Sequence, residues 1–252
     1  MPFFSRTRPL VFAHRGGCTL GPENTFATFG RGIAAGADGL ELDVHLSADG
    51  VVVVHHDEAL DRTTSGSGPI AARTADELAR LDAGDGGGIP TLREVLRRYG
   101  NVPIIVEMKV DTVAMGEALA REVRLAGAAE RVCAAGYGRR SLDAARAALP
   151  EMASSAGHGE VRMAVYRSWV GWPARHVRYG GFQVPETAQG HRIVSPRFLR
   201  HAHARGLEVQ VWTVDEEADM KRLLAWGVDG LITNRPDLAT RVVRGRVASS
   251  GK

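Results

Sequence analysis

The chain has few cysteines: Cys18 and Cys133 lie far apart in sequence and form no CxxC pair. That spacing excludes a disulfide framework and a cysteine-based zinc site, and fits a reducing compartment. No stretch reaches about eighteen consecutive apolar residues, so no integral membrane segment is expected. Residues 1–9 are charged and lack an apolar leader core, because a core-like strand already begins at Leu10. A cytoplasmic location is the corresponding expectation. Charge of one sign is also missing, since 32 basic against 29 acidic residues leave only +3, spread over scattered arginines. Such a balance argues against nucleic-acid binding and leaves room for a small anionic ligand. With 252 residues, 44% of them hydrophobic, the chain can bury a large core in one big domain or two smaller ones. No signal of oligomeric state stands out.

What is present centres on Glu41-Leu-Asp-Val-His-Leu-Ser-Ala-Asp-Gly-Val-Val-Val-Val-His-His-Asp57. Leu42, Val44 and Leu46 alternate with Glu41, Asp43 and His45, the period of a strand with two unlike faces. Ser47 to Gly50 supplies a turn, and Val51 to Val54 a β-branched return strand. Pairing Leu46 with Val51 would set Glu41 opposite His56 and Asp43 opposite Val54. Carboxylates beside an imidazole are costly to bury without a purpose.

Along the rest of the chain, strand and helix patterns alternate. Leu10 to His14 reads as a buried strand, followed by Arg15-Gly-Gly17 and a helix from Phe26, with Asn24 a candidate cap. Residues 58–89 are irregular apart from a short helix at Thr74 to Leu81, and a loop of that length points to a function. They are expected to cover the site. Thr91 caps a helix through Arg98. Strands are then expected at Pro103–Lys109, Arg131–Ala135, Val161–Tyr166, Gly181–Val184, Leu207–Val214 and Gly230–Thr233. Helices follow each of them, including a weak one over Trp169–Val177. With the strands near Leu10 and Asp38 this makes eight βα units, which predicts an α/β (β/α)₈ TIM barrel. An open doubly wound sheet is the alternative. The barrel is expected to fill 1–243, with 58–89 a small inserted subdomain after the second strand's hairpin and 244–252 a flexible tail.

His14, Arg15, Glu41, Asp43, Glu107, Lys109 and Trp212 fall at the C-terminal ends of these strands, where such barrels place their sites. Glu41, Asp43 and Glu107 form an all-oxygen set suited to Mg²⁺ or Ca²⁺; the alternative is a buried ion network with Arg15 and Lys109. His14 and His56 are candidates for a general acid and base, or else for core histidines or metal ligands. His45 and His55 are assigned structural or surface places. Arg15 beside Gly16-Gly17, together with Lys109, suits a phosphate. Trp212 is either a pocket wall or core. A cation site, two cations and paired histidines together suit phosphodiester cleavage.

Ordered motifs then add a resemblance. His14-Arg-Gly16, Pro22-Glu-Asn-Thr25, Glu41-Leu-Asp-Val-His-Leu-Ser-Ala-Asp-Gly50, His56-Asp57 and Leu60-Asp-Arg-Thr-Thr64 are followed by Ile89-Pro-Thr-Leu92 and Glu107-Met-Lys109. Val211-Trp-Thr-Val-Asp215 and Gly227-Val-Asp-Gly-Leu-Ile-Thr-Asn-Arg-Pro236 complete the set. The chain resembles the glycerophosphodiester phosphodiesterase family, densely over 11–109 and 206–238 and thinly between. The resemblance implies a (β/α)₈ barrel and hydrolysis of small glycerophosphodiesters to sn-glycerol 3-phosphate and an alcohol. It makes His14 and His56 the acid–base pair, and Glu41, Asp43 and Glu107 ligands of one divalent cation. Arg15 and Lys109 become phosphate contacts, and Trp212 the pocket's aromatic wall. Two alternatives accompany it: lysophospholipase D-type cleavage, with Trp169 and Trp172 in a loop against an acyl chain, and non-catalytic binding of a glycerophosphodiester.

Overall fold

The computed structural model describes residues 3–4, 9–172 and 177–250. Eight parallel strands form the barrel. They are β1 (Leu10–His14), β2 (Gly39–Leu46), β4 (Ile104–Met108), β5 (Val132–Gly136), β6 (Ala153–Ser154), β7 (Gly181–Pro185), β10 (Glu208–Trp212) and β11 (Gly230–Thr233). The ladder runs β6-β5-β4-β2-β1-β11-β10-β7. A parallel bridge between Ser155 and Gly181 joins its two ends, so the sheet is nearly closed. β3 (Val52–Val54) pairs antiparallel on β2, and β8 (Thr187–Ala188) with β9 (His191–Arg192) forms a separate hairpin.

Helices alternate with the strands: α1 (Phe26–Ala34), α2 (Ala75–Ala79), α3 (Leu92–Arg98), α4 (Val113–Leu125), α5 (Arg139–Ala148), α6 (His158–Val170), α7 (Pro196–His203), α8 (Glu217–Trp226) and α9 (Pro236–Ser250). Side-chain caps start five of them, α1, α2, α3, α4 and α7. Thr91 and Glu94 form a reciprocal capping box on α3, as Thr74 and Glu77 do on α2. Thr25, and not Asn24, caps α1 by accepting from the Thr28 amide. Asn24 instead sits at φ 59° and turns its side chain toward the barrel. α9 extends past Val243, where the sequence pattern ends; residues 251–252 lie outside the described ones.

The fifth strand differs from expectation. Residues 161–166 belong to α6, started by Glu160 accepting from the Gly157 amide at 2.8 Å. The strand lies earlier, at Ala153–Ser154. Val161, Met163 and Val165 recur at every second position as on one face of a strand, whereas 153–156 are Ala-Ser-Ser-Ala with no β-branched residue. Trp169 is accordingly on a helix and not in a loop. Of the expected helix over Trp169–Val177, residues 173–176 lie outside the described ones.

Two apolar layers hold the barrel. Leu10, Phe12, Ile105, Cys133 and Ile232 fill its interior with Phe3. Val11, Leu40, Leu42, Val106, Val209, Leu231 and the inner helix faces form the shell outside it. Residues from 58–89 pack round a cluster of their own, Leu60, Ile70, Leu78, Ala83 and Ile89, seated on Val53. Cys18 and Cys133 are free thiols, and among the described residues no helix is long and apolar enough to cross a membrane.

Candidate active site

Strand register brings the site together. His14 is level with Glu41 across β1–β2, and Asp43 with Glu107 across β2–β4. Residues level with each other on neighbouring parallel strands point to the same face of the sheet, as do residues two apart on one strand. One oxygen each of Glu41, Asp43 and Glu107 therefore falls within 4.8 Å of the others, with Glu41 and Asp43 buried. Burial, then the charges of Asp43 and Glu107, push the Glu41 carboxyl well above the usual carboxylate range. A buried set of oxygens that repel one another fits a hard divalent cation.

Two cations already flank the set. Lys109 Nζ lies 3.1 Å from Glu107 Oε1 and 3.3 Å from Asp43 Oδ1. Burial works against its charge, but Glu107 and Asp43 outweigh it and hold the amine above its ordinary value. Arg15 donates its backbone N–H to Glu41 Oε2 at 3.0 Å, and its Nε lies 3.3 Å from Asp43 Oδ2, an ion-pair distance without hydrogen-bond alignment. The turn that carries it needs glycine: Gly16 stands at φ +92°, and a Cβ there would meet the Phe29 backbone at 3.0 Å.

Each histidine is anchored through Nδ1. His14 Nδ1 lies 2.8 Å from Asn234 Oδ1, while Asn234 donates both its backbone N–H and its Nδ2 to Asp215 at 2.8 Å. With the Asn234 amide fixed in that sense, Oδ1 is the acceptor, so His14 carries its proton on Nδ1. The His14 Nε2 lone pair is left at the carboxylates, 3.8 Å from Glu41 Oε2. Burial lowers the His14 pKa. His56 Nδ1 donates to Asp57 Oδ1 at 2.6 Å. His45, buried, bonds the His56 carbonyl through Nε2 at 3.0 Å, and His55 bonds the Ala59 carbonyl at 3.3 Å; both places are structural.

The hairpin register differs from expectation by one residue. Leu46 pairs with Val52, not Val51, and the His55 amide, not that of Val54, lies opposite Asp43. The Gly50 N–H closes a turn on the Ser47 carbonyl at 3.0 Å, and Gly50 at φ +74° adds the extra residue as a bulge. His56 reaches the site because the chain leaves the ladder after Val54, and not as a rung facing Glu41.

Of these groups, His14, Arg15, Glu41, His56, Glu107 and Lys109 line a cavity of about 790 Å³. Trp212 and Ile232 line it from the barrel, and Val161, Val165, Tyr166 and Trp169 of α6 form an apolar wall. No residue from 58–89 is among the described residues lining it. Above the barrel strands the lining comes instead from α6 and the segment carrying β8 and β9.

All eight residues expected from the sequence thus meet at one cavity or its edge. Glu23, Asn24, Asp57, Arg62, Asp215 and Asn234, which stand in the quoted motifs without an assigned role in the site, brace them. Asp215 and Asn234 follow β10 and β11 closely, the same position after a strand that drew attention to Lys109.

The family model for the glycerophosphoryl diester phosphodiesterase family matches residues 14–238. The chain belongs to this family. As a member it is a phosphoric diester hydrolase. A glycerophosphodiester phosphodiesterase of Caldanaerobacter subterraneus is 33% identical, covering 94% of this chain and 98% of that protein. One from Bacillus subtilis is 31% identical, covering 96% of this chain and 88% of that protein. Among solved structures, the chain is similar to a glycerophosphodiester phosphodiesterase from Agrobacterium tumefaciens, with a TM-score of 0.77, 27% identity and coverage of 92% and 99%. An Oleispira antarctica phosphodiesterase in complex with the product sn-glycerol-3-phosphate gives a TM-score of 0.75 at 25% identity, covering 94% of this chain and 97% of that one.

Proposed function

We propose that the protein hydrolyses glycerophosphodiesters to sn-glycerol 3-phosphate and an alcohol, with a divalent cation held by Glu41, Asp43 and Glu107 and proton transfer by His14 and His56. The observation that carries this reading is the convergence of three clustered carboxylates, two cations and two Nδ1-anchored histidines beside one cavity. Both the Oleispira antarctica structure with bound sn-glycerol-3-phosphate and the names of the bacterial relatives support the same substrate class.

Arg15 and Lys109 orient the phosphate and balance its charge. Glu41, Asp43 and Glu107 would hold the divalent cation, which would supply charge neutralisation to the phosphate. His14, with its Nε2 lone pair at the carboxylates and a neutral amide behind it, suits the base that takes the proton from the attacking oxygen. That oxygen belongs either to water, which gives sn-glycerol 3-phosphate directly, or to the glycerol 2-hydroxyl, which gives a cyclic phosphate that water then opens; the first proton taken makes the same demand on the base. Behind His56 stands the Asp57 carboxylate, which compensates an imidazolium and suits His56 to protonate the departing alcohol as its P–O bond breaks. Trp212 supplies an apolar wall. The donor set suits Mg²⁺ and Ca²⁺ alike, and a cytoplasmic location accompanies the reading.

A second reading, lysophospholipase D-type cleavage, is favoured by the apolar α6 wall, where Trp169 lines the cavity yet stays 53% exposed. Non-catalytic binding has no observation in its favour. The test is a panel of glycerophosphodiesters and lysophospholipids assayed with each cation. Release of sn-glycerol 3-phosphate from glycerophosphocholine supports the first reading, faster turnover of lysophosphatidylcholine the second, and turnover of neither overturns both.

A further inference from the structure

Residues 58–89 neither line the cavity nor stay clear of the site, because one side chain reaches back. Arg62 Nε and one terminal nitrogen donate to the two oxygens of Asp57 at 2.6 and 3.0 Å. The same guanidinium also donates to both oxygens of Glu23, at 3.0 and 2.6 Å. Asp57 is the acceptor behind His56, and Glu23 Oε1 is the acceptor for an Arg15 terminal nitrogen at 3.0 Å. A single planar cation thereby joins the segment behind one histidine to the segment behind the phosphate-facing arginine. Its four donors match two carboxylates, a fit that a lysine ammonium cannot reproduce.

Both carboxylates respond to it. The Arg62 hydrogen bond holds Asp57 far below the usual carboxylate range, and against its own burial Glu23 is lowered by Arg62 and Arg15. Without Arg62, Asp57 would keep only His56 and Glu23 only Arg15 as a charged partner. Each of those pairs would then be free to shift as a unit, taking His56 or Arg15 off its position. The base of the arginine is itself fixed. Thr64 bonds the Leu60 carbonyl at 2.8 Å, and Leu60 and Ile70 are fully buried in the cluster of 58–89. The Arg62 side chain keeps 49% exposure, so solvent reaches the guanidinium.

We propose that Arg62 is a positioning residue for the phosphodiesterase reaction, and that 58–89 serve to present it, holding His56 and Arg15 in one geometry. This rests on the roles given above to His56 and Arg15. Positioning partners one step behind a reacting group typically change activity by roughly 10–100-fold. Arg62→Ala should therefore lower kcat/KM by roughly that factor, mostly in kcat if His56 is the group released and in both constants if Arg15 moves too. Arg62→Lys should recover little of it. Because the site is open to solvent, guanidinium ion added at millimolar concentration should restore several-fold activity to Arg62→Ala and none to the wild type. Arg80→Ala, on an exposed arginine of the same segment, should behave as wild type.

The experiment is steady-state hydrolysis of glycerophosphocholine by these variants and by His56→Ala and Arg15→Ala, with circular dichroism to verify folding. A folded Arg62→Ala with wild-type kcat and KM, beside an inactive His56→Ala, overturns the inference alone. An active His56→Ala overturns the reading it rests on. If Arg62→Ala fails to fold, Arg62→Lys decides: wild-type kcat/KM in the folded lysine variant also overturns the proposal.

Discussion

Glu41→Gln separates the cation site from an ordinary ion network, because the two accounts predict opposite signs for stability. Charges within 4.8 Å of one another repel by about 3.5 kcal/mol per pair or more at an effective dielectric constant near 20. Arg15 and Lys109, both 3.3 Å from Asp43, offset part of that. Glutamine keeps the acceptor for the Arg15 N–H, so the substitution removes repulsion and no hydrogen bond. A net gain of roughly 1–3 kcal/mol is expected without cation at alkaline pH. The sign with pH follows from the raised Glu41 carboxyl. In the folded, cation-free state the proton is held more tightly than in the unfolded chain, so stability falls as pH rises from the unfolded carboxylate value toward the raised folded one. Glu41→Gln should flatten that fall. Conversely, cation at about a hundred times its Kd should add about 2.7 kcal/mol to the wild type, roughly 5–10 °C in melting temperature for a chain of this size. The variant should lose most of that response together with activity. The assay is thermal unfolding at pH 5 and 8, with EDTA or with Mg²⁺ or Ca²⁺. A Glu41→Gln protein that melts lower than wild type in EDTA at pH 8 and keeps the cation response would refute the reasoning.

Other expectations follow from the anchors. Asn234→Ala frees His14 Nδ1 and should lower kcat by roughly 10–100-fold with little change in melting temperature, read by steady-state kinetics and calorimetry. Burial lowers the His14 pKa, so the acid limb of the kcat/KM profile should lie below the ordinary imidazole value; a limb above it would remove His14 as the base. Trp169→Ala should depress turnover of a lysophospholipid more than that of glycerophosphocholine if the α6 wall holds an acyl chain, and should treat both alike if it does not.

Much of the site was legible because charge at the end of an apolar strand has few innocent explanations. Glu41, Asp43 and Glu107 interrupt β-branched or aliphatic runs, and parallel register then has to bring them level. Period and turn chemistry were less informative where they compete. Ser47 to Gly50 is compatible with a two-residue hairpin or a bulged three-residue loop, and only Gly50 in the left-handed region distinguishes them. Residues 161–166 alternate as a strand, yet Glu160 capping at Gly157 starts a helix there. Two residues of small side chains serve as the barrel strand instead, since closure by β7 supplies what propensity lacks. The bracing residues were harder to see. Arg62 lies 39 positions from Glu23, and Asn234 lies 220 from His14, so only the closed barrel shows that they touch.

The central claim is that one divalent cation on Glu41, Asp43 and Glu107 works with His14 and His56 on the same phosphate. The most direct measurement is sn-glycerol 3-phosphate release from glycerophosphocholine by enzyme stripped with EDTA, before and after Mg²⁺ or Ca²⁺ is restored. Asp43→Asn and His56→Ala are measured alongside, with cation binding followed by calorimetry. Stripped enzyme should be inactive and recover with cation; Asp43→Asn should lose both binding and turnover, and His56→Ala turnover alone. Full turnover after exhaustive stripping, or unchanged cation binding by Asp43→Asn, would contradict the claim.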